Sequence, residues 1–191
     1  VSHLLQGYAA LLSDPRFFLL ALASGVPFNG LFLYILGAPA YLGDVLHLEP
    51  TQFFWFFALN IGGIMVGSWL SGRMAGKVAP KNQIMQGFRI MVAVTVLNIA
   101  ANALLEPQLW WSLWPIALFA FGWALMVPVV TLLVLDLHPE RRGMASSLQS
   151  VVGSVANGIV AGAVAPLVMH SALGMALMSA VFMVVGLVSW L

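Results

Sequence analysis

From Gly143 to Leu191 the chain carries no Asp, Glu, Lys or Arg, and no water-soluble fold can hide an uncharged run of that length. A helix crossing a bilayer needs about 20 apolar residues, so this stretch is long enough for two crossings with a reversal near Met169–Ala172. Just before it, Asp136-Leu-His-Pro-Glu-Arg-Arg-Gly143 gathers charge of both signs between two apolar runs. Composition makes the same point for the whole chain. A soluble domain is about 25% charged; this one is 7% charged and 62% hydrophobic, with a mean hydropathy of +1.01. It cannot cover itself with polar surface, so its solvent is lipid.

Taken in order, residues 1–15 form an amphipathic lead-in, with Leu4, Leu5, Tyr8, Leu11 and Leu12 near helical spacing. It reads equally as a helix on the membrane surface or as a linker. Six spans follow, forming one bundle over residues 16–191. Span one covers 16–42 and is interrupted by Gly25, Pro27, Gly30, Gly37 and Pro39. Proline removes a backbone donor and kinks a helix, which a membrane tolerates only where neighbours satisfy the freed carbonyl. Span two covers 51–72, span three 82–105, span four 109–135, span five 144–168 and span six 172–191. The chain starts at Val1 without an initiator methionine, as a fragment or one half of a larger protein would.

With six spans, one end of the bundle receives Arg16, Arg73, Lys77, Lys81, Arg89, Arg141 and Arg142, which are all 7 basic residues. The opposite end receives Asp44, Glu49 and Glu106, with His47 and His170. Basic loops stay on the cytoplasmic side, so both termini are expected there.

Enzyme chemistry finds no purchase. His3, His47, His138 and His170 all fall at span ends, and no nucleophile, base or carboxylate pair falls at membrane depth. With 0 cysteines there is no disulfide or thiolate site. Neither a cofactor nor a nucleic-acid partner is expected; the partners are the bilayer and a small molecule.

Two kinds of residue carry information about contacts. Gly63-Ile-Met-Val-Gly67 in span two, and Gly153 with Gly158-Ile-Val-Ala-Gly162 in span five, are small-residue motifs that let helix backbones approach closely. They fall on corresponding members of two three-span halves, the pattern of an inverted repeat. Polar side chains inside the spans are Asn29, Asn60, Asn98, Asn102, Gln149 and Asn157, and an unpaired amide there is costly. Asn98 and Asn102 share one face of span three and read as glue between helices. Asn29, beside Phe28, Phe32 and Tyr34 at the kink of span one, reads either as the polar point of an amphiphile cavity or as a cap on a freed carbonyl. Trp123 and Met126 in span four and Gln149 in span five complete the candidate set; Met and aromatic groups adapt to varied apolar ligands.

Three stretches are similar to a known family. Pro139-Glu-Arg-Arg-Gly143-Met-Ala-Ser-Ser-Leu148 resembles the loop before the eleventh span of drug:proton antiporters of the major facilitator superfamily, nearest the bicyclomycin/chloramphenicol-resistance (Bcr/CflA) type. Tyr8-Ala-Ala-Leu-Leu-Ser-Asp-Pro-Arg-Phe17 and Phe28-Asn-Gly-Leu-Phe32-Leu-Tyr34-Ile-Leu-Gly-Ala-Pro39 resemble the approach to the seventh span and that span itself. The resemblance implies an all-α membrane protein, the C-terminal six-span half of a twelve-span transporter. Spans one and four would line a central cavity. Spans two and five, with Gly63, Gly67, Gly153, Gly158 and Gly162, would pack on the N-terminal half, and spans three and six would face lipid. The family's basic loop motif is echoed by Gly72-Arg73-Met-Ala-Gly76-Lys77 without its aspartate, so a gating ion pair at that loop is not expected.

The expected function is therefore export of small amphiphiles by proton antiport across a bacterial inner membrane. Phe28, Asn29, Phe32, Tyr34, Trp123, Met126 and Gln149 are the expected substrate wall; Arg73, Lys77, Pro139, Arg141, Arg142 and Gly143 are the expected topology-setting loops. No Asp or Glu lies deep in any span, so the proton-carrying group is expected on the other half. An isolated structural domain, or an importer of a sugar or other nutrient, are the alternatives.

Overall fold

The computed structural model describes residues 2–191, and among them there is no β-strand. Five helices are long and apolar enough to cross a membrane; a bent pair, Pro15–Gly25 and Phe28–Leu36, makes the sixth crossing. The fold is thus an all-α membrane bundle of six spans.

Local chemistry sets the helix starts. Pro15 stands at the first helical position of span one, and the Asp14 carboxylate accepts from the Arg16 backbone N–H at 2.9 Å, the N-cap arrangement that satisfies an orphan donor. Glu49 and Gln52 form a capping box ahead of span two, Phe53–Met74. Span three, Pro80–Leu104, also begins on proline. Span six, Ala172–Trp190, is capped by Ser171, whose Oγ accepts from Gly174 N–H at 3.0 Å. Span four, Leu109–Leu137, runs unbroken through Pro115 and Pro128.

Span one breaks at Val26–Pro27 by 42°. Past the break, Asn29 N–H bonds to Val26 O and Gly30 N–H to Pro27 O, three residues back rather than four. Past Leu36 the same span continues as a wider π-helical turn, Pro39–Val45. Span five starts at Arg142 and widens similarly at Val160–Val164 before its last turn, Ala165–Val168.

Span four is the hub. On one side its backbone at Ala117 and Phe121 lies against Gly63 and Gly67 of span two, so closely that a Cβ on either glycine would strike those carbonyl oxygens. On the other side Gly122 lies back to back with Gly87 of span three, a Cβ at 87 reaching Gly122 O at 2.8 Å. Glycines permit such approach where lipid provides no hydrophobic drive between helices. This corrects the assignment of Gly63 and Gly67 to a surface for another half: their bare faces are consumed inside this chain. Gly153 differs: its Cα lies 3.3 Å from where Gly25 would carry a Cβ, but its own bare face meets nothing within 4 Å. Gly158 and Gly162 meet nothing within 4 Å.

The main core joins Leu31, Tyr34, Phe88, Met91, Leu113 and Phe119 from spans one, three and four, with Met175 and Met183 from span six. Gly186 of span six accepts the ring of Pro27, which fills the space a side chain there would occupy. A smaller core at the basic end gathers Leu11, Phe17, Ala21, Val134, Ala145 and Leu148. The lead-in is a helix, Ser2–Leu12, docked there through Leu11 and Gly7, with Tyr8 OH 3.2 Å from Ser147 Oγ.

Candidate functional site

The break in span one leaves main-chain carbonyls without helical partners, and the site is built on them. The Trp123 indole Nε1 of span four donates to Ser24 O at 3.0 Å. The Asn29 amide turns back to Gly25 O at 3.3 Å. Ser24 is itself buried, donating its hydroxyl to Ala21 O at 3.0 Å and accepting from Gln149 Nε2 at 2.9 Å. Gln149 also donates to Thr131 Oγ1 at 3.3 Å. Spans one, four and five are thereby tied by one polar knot.

Beside that knot lies an aromatic wall. Phe28 stands 4.9 Å from Trp123 and 5.7 Å from Phe32, centroid to centroid. All three rings are half-buried, as is Gln149. Each keeps part of its surface exposed, and aromatic surface flanked by an amide is the lining that an amphiphilic ligand requires.

The sequence-expected set divides here. Phe28, Phe32, Trp123 and Gln149 come together. Asn29 does not join them: it is fully buried and acts as the cap on the kink carbonyl, with Oδ1 lacking a protein partner. Tyr34 also faces inward, 2% exposed, accepting from Asn98 Nδ2 of span three at 3.1 Å. Met126 is corrected as well. It is fully buried with its Cβ against Gly87 of span three, and so adds no surface to the wall. Asn98 bridges two spans as glue should, whereas Asn102 bonds within its own helix, to Asn98 O at 2.7 Å.

Ser24 and Thr131 were absent from the sequence-based set. Each lies one turn from a proline, Pro27 and Pro128, and a hydroxyl beside a proline kink is the signal that could have found them.

The basic end carries its own polar ties. The His138 ring Nε2 and Asp14 Oδ2 lie 3.1 Å apart, joining the start of span one to the turn after span four. Partial burial works to raise the Asp14 pKa, but hydrogen bonds from the Arg16 N–H, His138 and the Phe17 N–H outweigh it and hold it below 3.8. Arg142 pairs with Asp136 at 2.7 Å, and the Arg73 guanidinium lies 4.6 Å over the Trp69 ring. Pro139–Arg141 form a 3₁₀ turn, Lys77 is exposed, and Gly143 borders open space. At the acidic end His170 Nδ1 faces Asp44 at 3.7 Å.

Comparison with known proteins places this geometry. The chain is similar to an uncharacterized MFS-type transporter, YdgK, of Bacillus subtilis (strain 168), with 26% identity over 159 residues. That match covers 83% of this chain and 38% of the relative, so the chain spans well under half of the relative's length. No solved structure matches. The model of the Major Facilitator Superfamily matches residues 2–161, and a match over that much of the bundle means that the chain belongs to the Major Facilitator Superfamily.

Proposed function

We propose that this chain is the C-terminal six-span half of a secondary transporter that exports small amphiphilic compounds by proton antiport. It works by rocking against an N-terminal half about a site near the bilayer midplane. The bacterial inner membrane is its place, with the basic end and both termini in the cytoplasm. The observation that carries this reading is the half-open wall of Phe28, Phe32 and Trp123 beside the Gln149 amide. Its rings offer apolar area and cation–π faces. Gln149 commits its Nε2 to two hydroxyls and so presents Oε1 as an acceptor. That combination favours a ligand with an apolar body and one polar or cationic point. The six acidic residues lie at span ends, so the proton carrier belongs to the other half. The bicyclomycin/chloramphenicol-resistance type remains the proposed group on the strength of the Pro139–Leu148 and Phe28–Pro39 stretches.

The test uses the complete protein in liposomes. Adding a cationic amphiphile is expected to release protons, and Phe32→Ala is expected to alter which compounds do so. Export that is indifferent to a pH gradient would sink the coupling.

A further inference from the structure

Behind the aromatic wall, inside the bundle, lies a cavity of about 10 Å³, enough for the centre of one water-sized sphere. Four spans line it: Gly30 and Tyr34 from span one, Val94, Thr95 and Asn98 from span three, Pro115, Ile116 and Phe119 from span four, and Ser179 from span six. Its polar lining is unusually dense for this depth. Tyr34, Thr95, Asn98 and Ser179 are 2%, 4%, 6% and 5% exposed.

Their hydrogen bonding is incomplete in one consistent direction. Thr95 Oγ1 has no protein partner, although a helical threonine ordinarily bonds its hydroxyl to a carbonyl three or four residues back. Tyr34 OH accepts from Asn98 Nδ2, which leaves its own proton to donate elsewhere. Ser179 Oγ donates to Gly30 O at 3.1 Å, which leaves its lone pairs to accept. Asn98 Oδ1 is already engaged by Asn102 Nδ2 at 2.9 Å. The groups left over are therefore one donor, one acceptor and one hydroxyl able to serve as either. A buried water asks for two to four such partners in a polar space of about 10–15 Å³.

We propose that this cavity is a binding site for a single structural water. The water accepts from Tyr34 OH, donates to Ser179 Oγ and completes Thr95 Oγ1, so that spans one, three and six meet on one molecule. A monovalent cation fits the volume but not the chemistry. No carboxylate lines the cavity, and an uncompensated charge at this depth is costly. Gly30 keeps the site open: a Cβ there would lie 2.7 Å from Ser179 Oγ and 2.8 Å from the Phe119 ring edge.

Radiolytic footprinting of the purified protein tests this, because hydroxyl radicals formed from a bound water oxidise the side chain beside it. Tyr41 is the internal control. It is 1% exposed, stacks edge-on against Tyr34 at 5.1 Å and does not line the cavity. Tyr34 is expected to be oxidised severalfold faster than Tyr41. In Thr95→Val, which keeps shape and removes the hydroxyl, that excess is expected to fall to the Tyr41 level. Equal oxidation of the two tyrosines in the parent would overturn the proposal. So would an excess that survives Thr95→Val, or one that disappears when sodium and potassium are replaced by a bulky organic cation.

Discussion

Gln149 Nε2 donates to Ser24 Oγ at 2.9 Å, and by this bond span five is fastened to the first half of span one just ahead of its break. Removing the amide while keeping the bulk, as in Gln149→Leu, loses that bond and the one to Thr131. A net hydrogen bond is worth about 1 kcal/mol, so thermal unfolding in detergent is expected at a distinctly lower temperature. Ser24→Ala is expected to show a smaller loss. A Gln149→Leu protein that melts like the parent would mean that span five is held by packing alone.

Asn29 and Phe32 are expected to behave oppositely. Asn29→Ala strips the cap from Gly25 O, and an unsatisfied buried carbonyl costs about 1–3 kcal/mol. Stability should fall, while the relative transport rates of different amphiphiles stay the same. Phe32→Ala removes half-buried wall surface and is expected to reorder those rates with little change in melting. Measuring both properties for both variants separates packing from recognition.

The glycines divide by where they point. Gly63→Ala and Gly67→Ala drive a methyl into the backbone of span four, and overpacking of this kind costs about 1–3 kcal/mol. Gly158→Ala meets no atom within 4 Å and replaces a helical glycine, a gain of about 0.5–1 kcal/mol. The expected order of melting temperatures for the chain is Gly158→Ala at or above the parent, then the two span-two variants well below. If the proposed second half packs on span five, Gly158→Ala also slows transport by the complete protein despite its higher stability.

Asp14 supplies a pH test. Its carboxyl sits below 3.8 because the N–H groups of Arg16 and Phe17 and the ring of His138 outweigh the opposing effect of partial burial. A group whose folded pKa is depressed stabilises the protein above its unfolded pKa and loses that contribution as pH falls through the folded value. Asp14→Asn is therefore expected to be less stable than the parent at neutral pH. The gap should hold down to roughly pH 5 and close below 3.8. Chemical denaturation at stepped pH reads the gap directly.

The number of spans was legible because charge is scarce here. Arg73, Lys77 and Lys81 could only mark a span boundary, with Lys77 in the connection and the other two in the end turns of spans two and three, and Pro27 beside Gly25 and Gly30 pointed to a kink. Which way a residue faces was not legible. In a soluble helix, polarity marks the outward face; in lipid, both faces are apolar. Met126 and Trp123 lie three residues apart on span four, and nothing in their chemistry says that one backs onto Gly87 while the other opens beside Phe28. The same ambiguity hid the inward turn of Tyr34 and the use of Gly63 and Gly67 within the chain. The π turns at Pro39–Val45 and Val160–Val164 left no mark that residue type alone reveals. Asn29 was the exception: an amide at a proline break has a local carbonyl to serve, and it serves one.

The acceptors that the broken span one offers to Trp123 and Asn29 are peptide oxygens, Ser24 O and Gly25 O. No codon change at either position can delete them. Replacing Ser24 would lose its hydroxyl's bonds to Ala21 and Gln149 yet leave the indole oriented, so the residue most exposed to selection for keeping this wall is Pro27, which touches neither bond. Variation among related chains should accordingly be stricter at position 27 than at 24.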